Sequence, residues 1–270
     1  MKHRPQDLSL MGLRLVDVHA HMCDPGFDQD RGAVLERARR AGIAAVVAVG
    51  EDLADARKNM TLSRAHPMLK VAAGLYPTHL DWTQAHEMVG FIRRHHTNLV
   101  AIGEVGLDFW AVQEAALKEV QRGIFKMFID LSKELDLPLN VHSRSAGRHA
   151  VRMLLESGAN RVHMHAFDGK ASAALPGVAA GFLFSIPPSV VRSRQKQKLV
   201  KQLPLASLLA ETDSPVLGPL PSERNEPANI GLVVQAIAQL KGVEEERVAA
   251  QLWENTRRLY GDITLARHNF

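Results

Sequence analysis

The chain has a single cysteine, few aromatic residues and no long hydrophobic run. Cys23 stands alone among 270 residues, so an intramolecular disulfide is excluded and a reducing compartment, the cytoplasm, is expected. The longest apolar stretches, such as residues 43–49, are far shorter than the roughly 20 residues that span a bilayer. Residues 1–12 are basic and polar without an apolar centre, so we expect neither a secretory signal nor a membrane partner.

A strong excess of charge of one sign is also missing. Lys and Arg total 33 against 29 Asp and Glu, and this mild basic excess fits a polyanionic partner or none. Hydrophobic residues make up 46%, enough for a large core and too many for disorder. Without a linker, repeat or low-complexity segment, residues 1–270 are predicted to form one domain with a short tail at 1–11 and no obligate protein partner.

Eight short apolar runs alternate with stretches of helical periodicity. Nearly continuous apolar strands, each followed by a helix, predict a parallel sheet covered by helices. No glycine-rich turn follows the first run, so a TIM (β/α)8 barrel with C-terminal outer helices is favoured over a doubly wound nucleotide-binding sheet. The predicted strands are residues 13–21, 43–50, 69–75, 99–105, 137–142, 161–166, 181–186 and 208–212. The predicted helices are residues 28–41, 52–65, 82–95, 113–136, 147–157, 190–202, 228–241 and 243–260.

Residues of metal-ligand type occur at the downstream ends of five of these runs. Because side chains alternate along a strand, His19 and His21 share a face and can reach one cation. The carboxyl ends of barrel strands form one rim, so the five ends are expected to converge. Histidine and carboxylate ligands suit divalent ions of intermediate hardness. The five islands are Asp17–His21, Gly103–Asp108, Val141–Arg144, His163–His165 and Glu211–Pro215.

We assign these ligands to two ions that share the carboxylate of Glu104. Paired ions about 3.5 to 4 Å apart can hold a hydroxide and polarise the oxygens of a phosphoryl or acyl substrate. For any one histidine, a satisfied polar residue of the core is the better interpretation, but five strand ends at one rim favour a metal site. The first group is His19, His21, Glu104 and Asp213, and the second is Glu104, His142 and His165.

Further polar residues are expected one layer below the ligands. Asp17, Asn140 and Glu211 each precede a ligand by two residues on the same strand face. Ligating histidines commonly donate their second nitrogen to a carboxylate or carbonyl, so these three residues are predicted to orient the ligands, with ordinary barrel packing as the alternative. His163 shares the face of His165 but lies nearer the strand start, below the metal layer.

Cationic residues near the rim are candidates for holding a phosphate. The planar guanidinium of Arg144 can form two hydrogen bonds to phosphate, and exposed loop packing is the alternative. Arg224 is a second candidate and Arg148 a weaker one, whereas the basic run 192–201 is expected to be a solvated helix face. Cys23 is near enough to His21 to be a ligand candidate, but a small buried residue is the favoured interpretation.

Together, these islands resemble the TatD family of metal-dependent hydrolases, whose members have a TIM-barrel fold and hydrolyse DNA with magnesium. The resemblance covers nearly the whole chain, and residues 141–148, 184–189 and 195–205 are similar to a subgroup that also occurs in animals. It implies the ligand set assigned above, with Asp213 and Glu104 as catalytic residues and Asp213 as the acceptor of the attacking water's proton. At residues 74–79 the chain departs from the family's Gly-x-His-Pro-His pattern, and Tyr76 there could contact a base, a phosphate or neither.

The resemblance implies a two-metal deoxyribonuclease of 3′–5′ exonuclease type that acts on single-stranded DNA or 3′ ends. Mg2+ or Mn2+ would serve in activity, and Zn2+ or another transition metal could remain in the isolated protein. An amidohydrolase that cleaves an amide, ester or lactone is the first alternative, disfavoured because Glu104 stands where many such enzymes have a carbamylated lysine. A non-catalytic barrel that binds nucleic acid or protein is the second, and the intact ligand set argues against it.

Overall fold

The computed structural model describes residues 14–264, and within them eight parallel strands form one sheet in sequential order. This order and the alternation with helices confirm the predicted TIM barrel. The predicted tail at residues 1–11 and the segment assessed for a secretory signal lie outside the described residues. The strands are β1 (Leu15–Ala20), β2 (Ile43–Ala48), β3 (Leu69–Ala73), β4 (Leu99–Gly106), β5 (Leu139–His142), β6 (Val162–Met164), β7 (Leu183–Ile186) and β8 (Leu208–Ala210).

Helices follow the strands, and the last two pack outside the barrel after β8. Aspartate side chains explain where two of the helices begin. The Asp52 carboxylate accepts a hydrogen bond from Asp55 N at 2.9 Å, and the Asp81 carboxylate accepts one from Thr83 N at 2.7 Å. The helices are α1 (Arg31–Arg40), α2 (Leu53–Ala65), α3 (Trp82–His95), α4 (Ala115–Leu135), α5 (Gly147–Glu156), α6 (Ala171–Ala179), α7 (Arg194–Gln202), α8 (Ile230–Lys241) and α9 (Glu245–Tyr260).

Two helical segments differ from the sequence prediction. The helix expected over 190–202 is divided, because the extended Ser193 caps α7 and residues 188–191 form a separate 3-10 turn. Helix α6 was not predicted, since its sequence, ASAALPGVA, has no polar face and contains Pro176. Gly177 in α6 lets the helix approach β7 closely, where an added Cβ would lie 2.8 Å from the ring of Phe182.

Hydrogen bonds join the last strand to the first just beyond the regular sheet. Asp213 N donates to His19 O and His21 N donates to Ser214 O, both at 2.8 Å. The Asp17 carboxylate accepts from Thr212 N at 2.9 Å across the same seam. Three of the predicted metal ligands, His19, His21 and Asp213, therefore lie at the point where the barrel closes.

Apolar side chains fill the space between the strands and the helices in one large cluster, which includes Phe27, Phe125, Phe128, Phe167 and Phe184. A smaller cluster joins residues of β1, β2 and β4 to the carboxyl end of α9. Among the described residues, none of the helices combines the length and the apolar character that crossing a membrane requires.

Candidate metal centre

Four donor atoms converge at the carboxyl ends of β1, β4 and β8. The Nε2 atoms of His19 and His21 are 3.4 Å apart. Glu104 Oε2 lies 3.6 and 3.3 Å from them, and Asp213 Oδ1 lies 3.5 Å from both. In tetrahedral coordination with bonds of about 2.1 Å, the length of a Zn–N or Mg–O bond, the donors stand about 3.4 Å apart. This is the spacing among His19, His21 and Glu104 and between Asp213 and each of the two imidazoles. These side chains therefore fit one divalent cation.

A second donor group uses the other oxygen of Glu104. Glu104 Oε1 lies 2.7 Å from His142 Nδ1 and 3.7 Å from His165 Nε2. Asp213 contributes its second oxygen nearby, with Oδ2 4.0 Å from His165 Nε2. Glu104 thus presents one carboxylate oxygen to each group, which is the arrangement a bridging ligand requires.

The electrostatics of the centre also favour cations. Glu104 Oε2 is buried without a hydrogen-bond partner among the described residues. Burial raises the pKa of Glu104, but the imidazoles of His19 and His142 outweigh it and hold the pKa well below its usual value. Burial likewise opposes ionisation of Asp213, yet His165 and His21 lower its pKa. Two buried, ionised carboxylates need positive charge beside them, from protons or from metal ions.

The pKa values of the imidazoles are shifted in different directions: two are raised and one is lowered. Burial lowers the pKa of His142, but hydrogen bonds to Asp108 and Glu104 outweigh it and raise the pKa to about 9. The pKa of His21 is raised well above its usual value for the same kind of reason, through Asp213 and Glu104. Burial and the charge of His165 lower the pKa of His19 to about 4. The centre therefore attracts cationic charge even where burial opposes it.

Backbone features at two positions bring these strands together. Gly106 at the end of β4 has φ +147° and is paired in register with His142, whose carbonyl oxygen an added Cβ would overlap. At Gly103, a Cβ would lie 2.6 Å from the Cβ of Asn140. Asp213 has φ +55°, a left-handed conformation that aspartate tolerates better than most residues.

Two of the predicted orienting residues contact ligand imidazoles. His19 Nδ1 donates to Asn140 Oδ1 at 2.9 Å, and Asn140 Nδ2 donates to Val18 O at 3.2 Å. His165 Nδ1 donates to Glu211 Oε2 at 2.8 Å. Each bond leaves the Nε2 atom of its imidazole directed at the centre, as second-layer partners of metal ligands do. Asn140 thus serves the histidine of β1 rather than its neighbour His142.

Asp17 has a different partner from the one expected. Its carboxylate accepts hydrogen bonds from His19 N at 3.3 Å and from the backbone and hydroxyl of Thr212. Burial raises the pKa of Asp17 to about 8, although these donors oppose the increase. Asp17 therefore braces the seam between β8 and β1 and does not touch a ligand imidazole in the described structure.

His163 lies below the ligands in a buried polar chain. Tyr260 Oη lies 2.7 Å from His163 Nδ1, and His163 Nε2 lies 2.6 Å from Ser185 Oγ. Ser185 Oγ donates to Glu211 Oε2 at 2.6 Å, which leads to His165. Both ring nitrogens of His163 are occupied, so this histidine supports the ligand layer from beneath.

Sequence reasoning missed Asp108 and misjudged Lys196. Asp108 Oδ2 lies 3.0 Å from His142 Nε2, and Asp108 therefore completes the orientation of this ligand. Its signal was present at the end of the β4 island, where a carboxylate could pair with the second nitrogen of His142. Lys196 was expected on a solvated face but is 8% exposed and donates to the carbonyls of Ala166 and Phe167. Burial lowers its pKa to about 8.

The rim residues are less closely tied to the centre. Tyr76 Oη lies 3.5 Å from both Asp108 Oδ2 and His142 Nε2, and its ring packs against the imidazole. Arg144 is exposed, with Cζ 3.6 Å above the ring of Trp110. Arg148, the weaker candidate, is also exposed.

Arg224 and Cys23 are held outside the two donor groups. The guanidinium of Arg224 pairs with Asp30 at 2.6 Å and lies over the ring of Phe27. Cys23 is buried with Sγ 3.5 Å from Val49 O, and burial raises its pKa to about 12. Within residues 14–264, the clusters able to hold a metal ion include neither residue.

Known proteins similar to this chain share its length and fold. A family model described as TatD related DNase matches residues 16–261. The chain is 46% identical to human deoxyribonuclease TATDN3 over 261 residues, which cover 92% of this chain and 95% of the relative. It is 31% identical to the 3′-5′ ssDNA/RNA exonuclease TatD of Erwinia tasmaniensis over 261 residues, with 91% and 99% covered.

Solved structures agree with these sequence matches. The crystal structure of YJJV, a TatD homolog from Escherichia coli, superposes with a TM-score of 0.85 at 26% identity and covers 92% of this chain and 98% of that chain. The family model and the relatives each span more than nine-tenths of the length. The chain therefore belongs to the TatD related DNase family.

Proposed function

We propose that this protein hydrolyses phosphodiester bonds of DNA with two divalent ions held by the two donor groups. The observation that carries the proposal is the division of Glu104, whose Oε2 faces His19 and His21 while Oε1 faces His142 and His165. When bound, paired ions lower the pKa of a water and polarise the phosphoryl oxygens.

The protein's own residues fix the protonation and direction of the ligands. Asn140, Glu211 and Asp108 each accept from one nitrogen of a ligand imidazole, so the other nitrogen keeps its lone pair for a cation. Asp213 offers Oδ1 to the first donor group and Oδ2 to the side of His165. We assign Asp213 Oδ2 as the acceptor of the proton that the attacking water loses.

The substrate is proposed from the relatives and from the rim. The relatives named deoxyribonuclease and 3′-5′ ssDNA/RNA exonuclease support a polynucleotide, and we propose cleavage of single-stranded DNA from a 3′ end. Tyr76 and Arg144 are proposed to contact the scissile phosphate, since Tyr76 lies beside His142 and Asp108 and Arg144 is an exposed cation two residues after His142. Arg224 is proposed as an outer contact that would first have to leave Asp30.

The ions are proposed to be Mg2+ or Mn2+ during turnover, with Zn2+ or another transition metal retained on isolation. Carboxylates and imidazoles accept all of these, so availability decides among them. Metal analysis at saturating metal tests the count, for which two ions per chain are expected. One ion or none under saturating metal would contradict the two-ion assignment.

The activity is tested with end-labelled single-stranded DNA and Mg2+ or Mn2+. We expect metal-dependent release of nucleotides that is lost in Asp213→Ala and kept in Asp130→Ala, an exposed aspartate of α4 used as the matched control. Absence of release, or equal release by Asp213→Ala, would contradict the proposal. A parallel panel of p-nitrophenyl esters and phosphodiesters separates phosphodiester cleavage from the amide, ester or lactone alternative.

A further inference from the structure

An exposed tryptophan lies on the loop that leaves the metal centre from β4. Trp110 is 59% exposed, the most exposed of the large hydrophobic side chains among the described residues. The guanidinium of Arg144, from the loop after β5, lies 3.6 Å above its ring. An isolated exposed apolar residue is common on protein surfaces, so its position must carry the inference.

Asp108 connects this tryptophan directly to a proposed metal ligand. Asp108 Oδ1 accepts from Trp110 N at 3.0 Å and from Ala111 N at 2.8 Å, which fixes the loop backbone. Its other oxygen, Oδ2, lies 3.0 Å from His142 Nε2. One carboxylate therefore holds both the ligand and the backbone of the loop that carries the indole.

Two further cations lie near the ring of Phe109, the residue before Trp110. Lys118 Nζ and Arg122 Cζ lie 5.0 and 5.3 Å from the ring of Phe109, which packs against the ring of His149. Phe109 N donates to Arg144 O at 3.0 Å and so joins the two loops. We name Phe109, Trp110, Lys118, Arg122, Arg144 and His149 the basic-aromatic cluster.

The charge of this cluster affects its own histidine. Burial lowers the pKa of His149. Nearby cations lower it further, among them Arg152 and Arg148 outside the cluster and Arg122 and Lys118 within it. The cluster therefore combines accumulated positive charge with an accessible indole. Proteins that hold single-stranded nucleic acid use this combination, with cations along the backbone and aromatic rings under the bases.

We propose that Trp110, supported by Arg144 on one face, stacks on the nucleobase next to the scissile phosphate of a single-stranded substrate. The inference rests on the proposed function, because it presumes a polynucleotide at the metal centre. It adds a positioning residue that recognises a base, whereas the donor groups act only on the phosphate. Stacking tolerates any base, so the contact selects unpaired strands and not a sequence.

The test compares Trp110→Ala with Trp110→Phe and with Trp82→Ala. Trp82 is the matched control, since it is 43% exposed but packs beside Gly123 of α4 and His86 of α3. Each change is made in the Asp213→Asn background with Mn2+, which slows cleavage. Binding is measured by the anisotropy of fluorescein-labelled pentanucleotides. One probe carries all its bases, and the others replace one nucleotide in turn with an abasic analogue.

With Trp110 present, loss of the base at one position is expected to weaken binding about 5- to 100-fold, the range that stacking on an aromatic residue gives. Trp110→Ala should bind the complete and the abasic probe at that position equally. Trp110→Phe should retain part of the discrimination, and Trp82→Ala all of it. Steady-state cleavage is measured in the active enzyme, which keeps Asp213. There Trp110→Ala should raise the KM for DNA much more than it lowers kcat.

Equal discrimination in Trp110→Ala and the parent at every position would overturn the inference. A uniform loss of affinity for all probes would overturn it too, since that pattern indicates a backbone contact. Cleavage of labelled DNA by the unmodified protein is measured in parallel. Cleavage without base discrimination refutes the stacking alone, whereas absence of both binding and cleavage refutes the proposed function as well.

Discussion

The two donor groups of the metal centre share Glu104 but differ in how their atoms are arranged. In the first group the donors of His19, His21 and Glu104 stand 3.3 to 3.6 Å apart, the spacing of ligands around one ion, and Asp213 Oδ1 lies 3.5 Å from both imidazoles. In the second group His142 Nδ1 lies 2.7 Å from Glu104, as in a direct hydrogen bond. An ion entering the second group must separate these two atoms, whereas the donors of the first group already have the spacing of ligands, so the first group should bind its ion more tightly.

The largest effect is expected where the two groups meet. Glu104→Gln removes a charge from both, and we expect cleavage to fall by about three orders of magnitude because the electrostatic stabilisation of the transition state is lost. Rates on labelled DNA under saturating Mn2+ provide the measurement. Glu51→Gln, an exposed carboxylate near the rim, is the control. If Glu104→Gln cleaves DNA at a rate within tenfold of the parent, Glu104 is not a ligand shared by the two groups.

Single-ligand variants sharpen the comparison between the groups. His142→Ala should retain the tightly held ion after dialysis, whereas His19→Ala should lose it, with both rates reduced by about 10²-fold or more. Elemental analysis and thermal unfolding give the readout, because an ion at 100 times its Kd stabilises the fold by about 2.7 kcal/mol. Retention of the ion by His19→Ala and its loss by His142→Ala would reverse the assigned order of affinity.

Smaller effects are expected from the residues that orient the imidazoles. Asp108→Ala and Asn140→Ala should each weaken metal binding or activity by about 10- to 100-fold, the usual cost of removing such partners. Asp108 contacts His142 and Asn140 contacts His19. Metal titrations should therefore show weaker binding of the second ion in Asp108→Ala and of the first ion in Asn140→Ala. If both variants weaken the binding of the same ion, the two donor groups are not separate.

The smallest effects are expected from the arginines above the centre. Arg144→Ala should raise the KM for DNA about tenfold through loss of a charge-assisted phosphate contact. Arg224→Ala should change it less than about twofold, because its guanidinium is engaged by the exposed Asp30 and exposed pairs contribute little. Steady-state kinetics on one oligonucleotide compares them. A larger effect at Arg224 than at Arg144 would show that the loop after β8 moves onto the substrate.

The barrel was predictable because its signals are local. Apolar runs such as Ile43–Ala48 and Leu99–Gly106 require a buried parallel sheet, and alternation places His19 and His21 on one face. Helix α6 was not predicted because its sequence, ASAALPGVA, has no polar face and therefore lacks the hydrophobic periodicity of an amphipathic helix. The start of α7 moved by four residues, from the predicted 190 to Arg194, because the Ser193 side chain caps the helix there.

The contacts between distant segments were less accessible from sequence. Alternation gives the face of Asn140 but not its partner, because the contact with His19 crosses the barrel from β5 to β1. Lys196 lies in a basic helix, and its sequence context predicts a solvated side chain. The prediction is wrong because the fold brings the distant carbonyls of Ala166 and Phe167 within hydrogen-bond reach of its ammonium group. Arg224 depends in the same way on a loop conformation that brings Asp30 within reach.

The closure of the barrel gives the first donor group a role in folding kinetics. His19 lies in the first strand and Asp213 just after the last, and Thr212 is 195 residues from its partner Asp17 across this seam. An ion held there acts as a reversible crosslink between the two ends of the sheet, and it closes a loop that contains almost all the other strands. Its removal should therefore be visible as faster unfolding that begins by separation of β1 from β8.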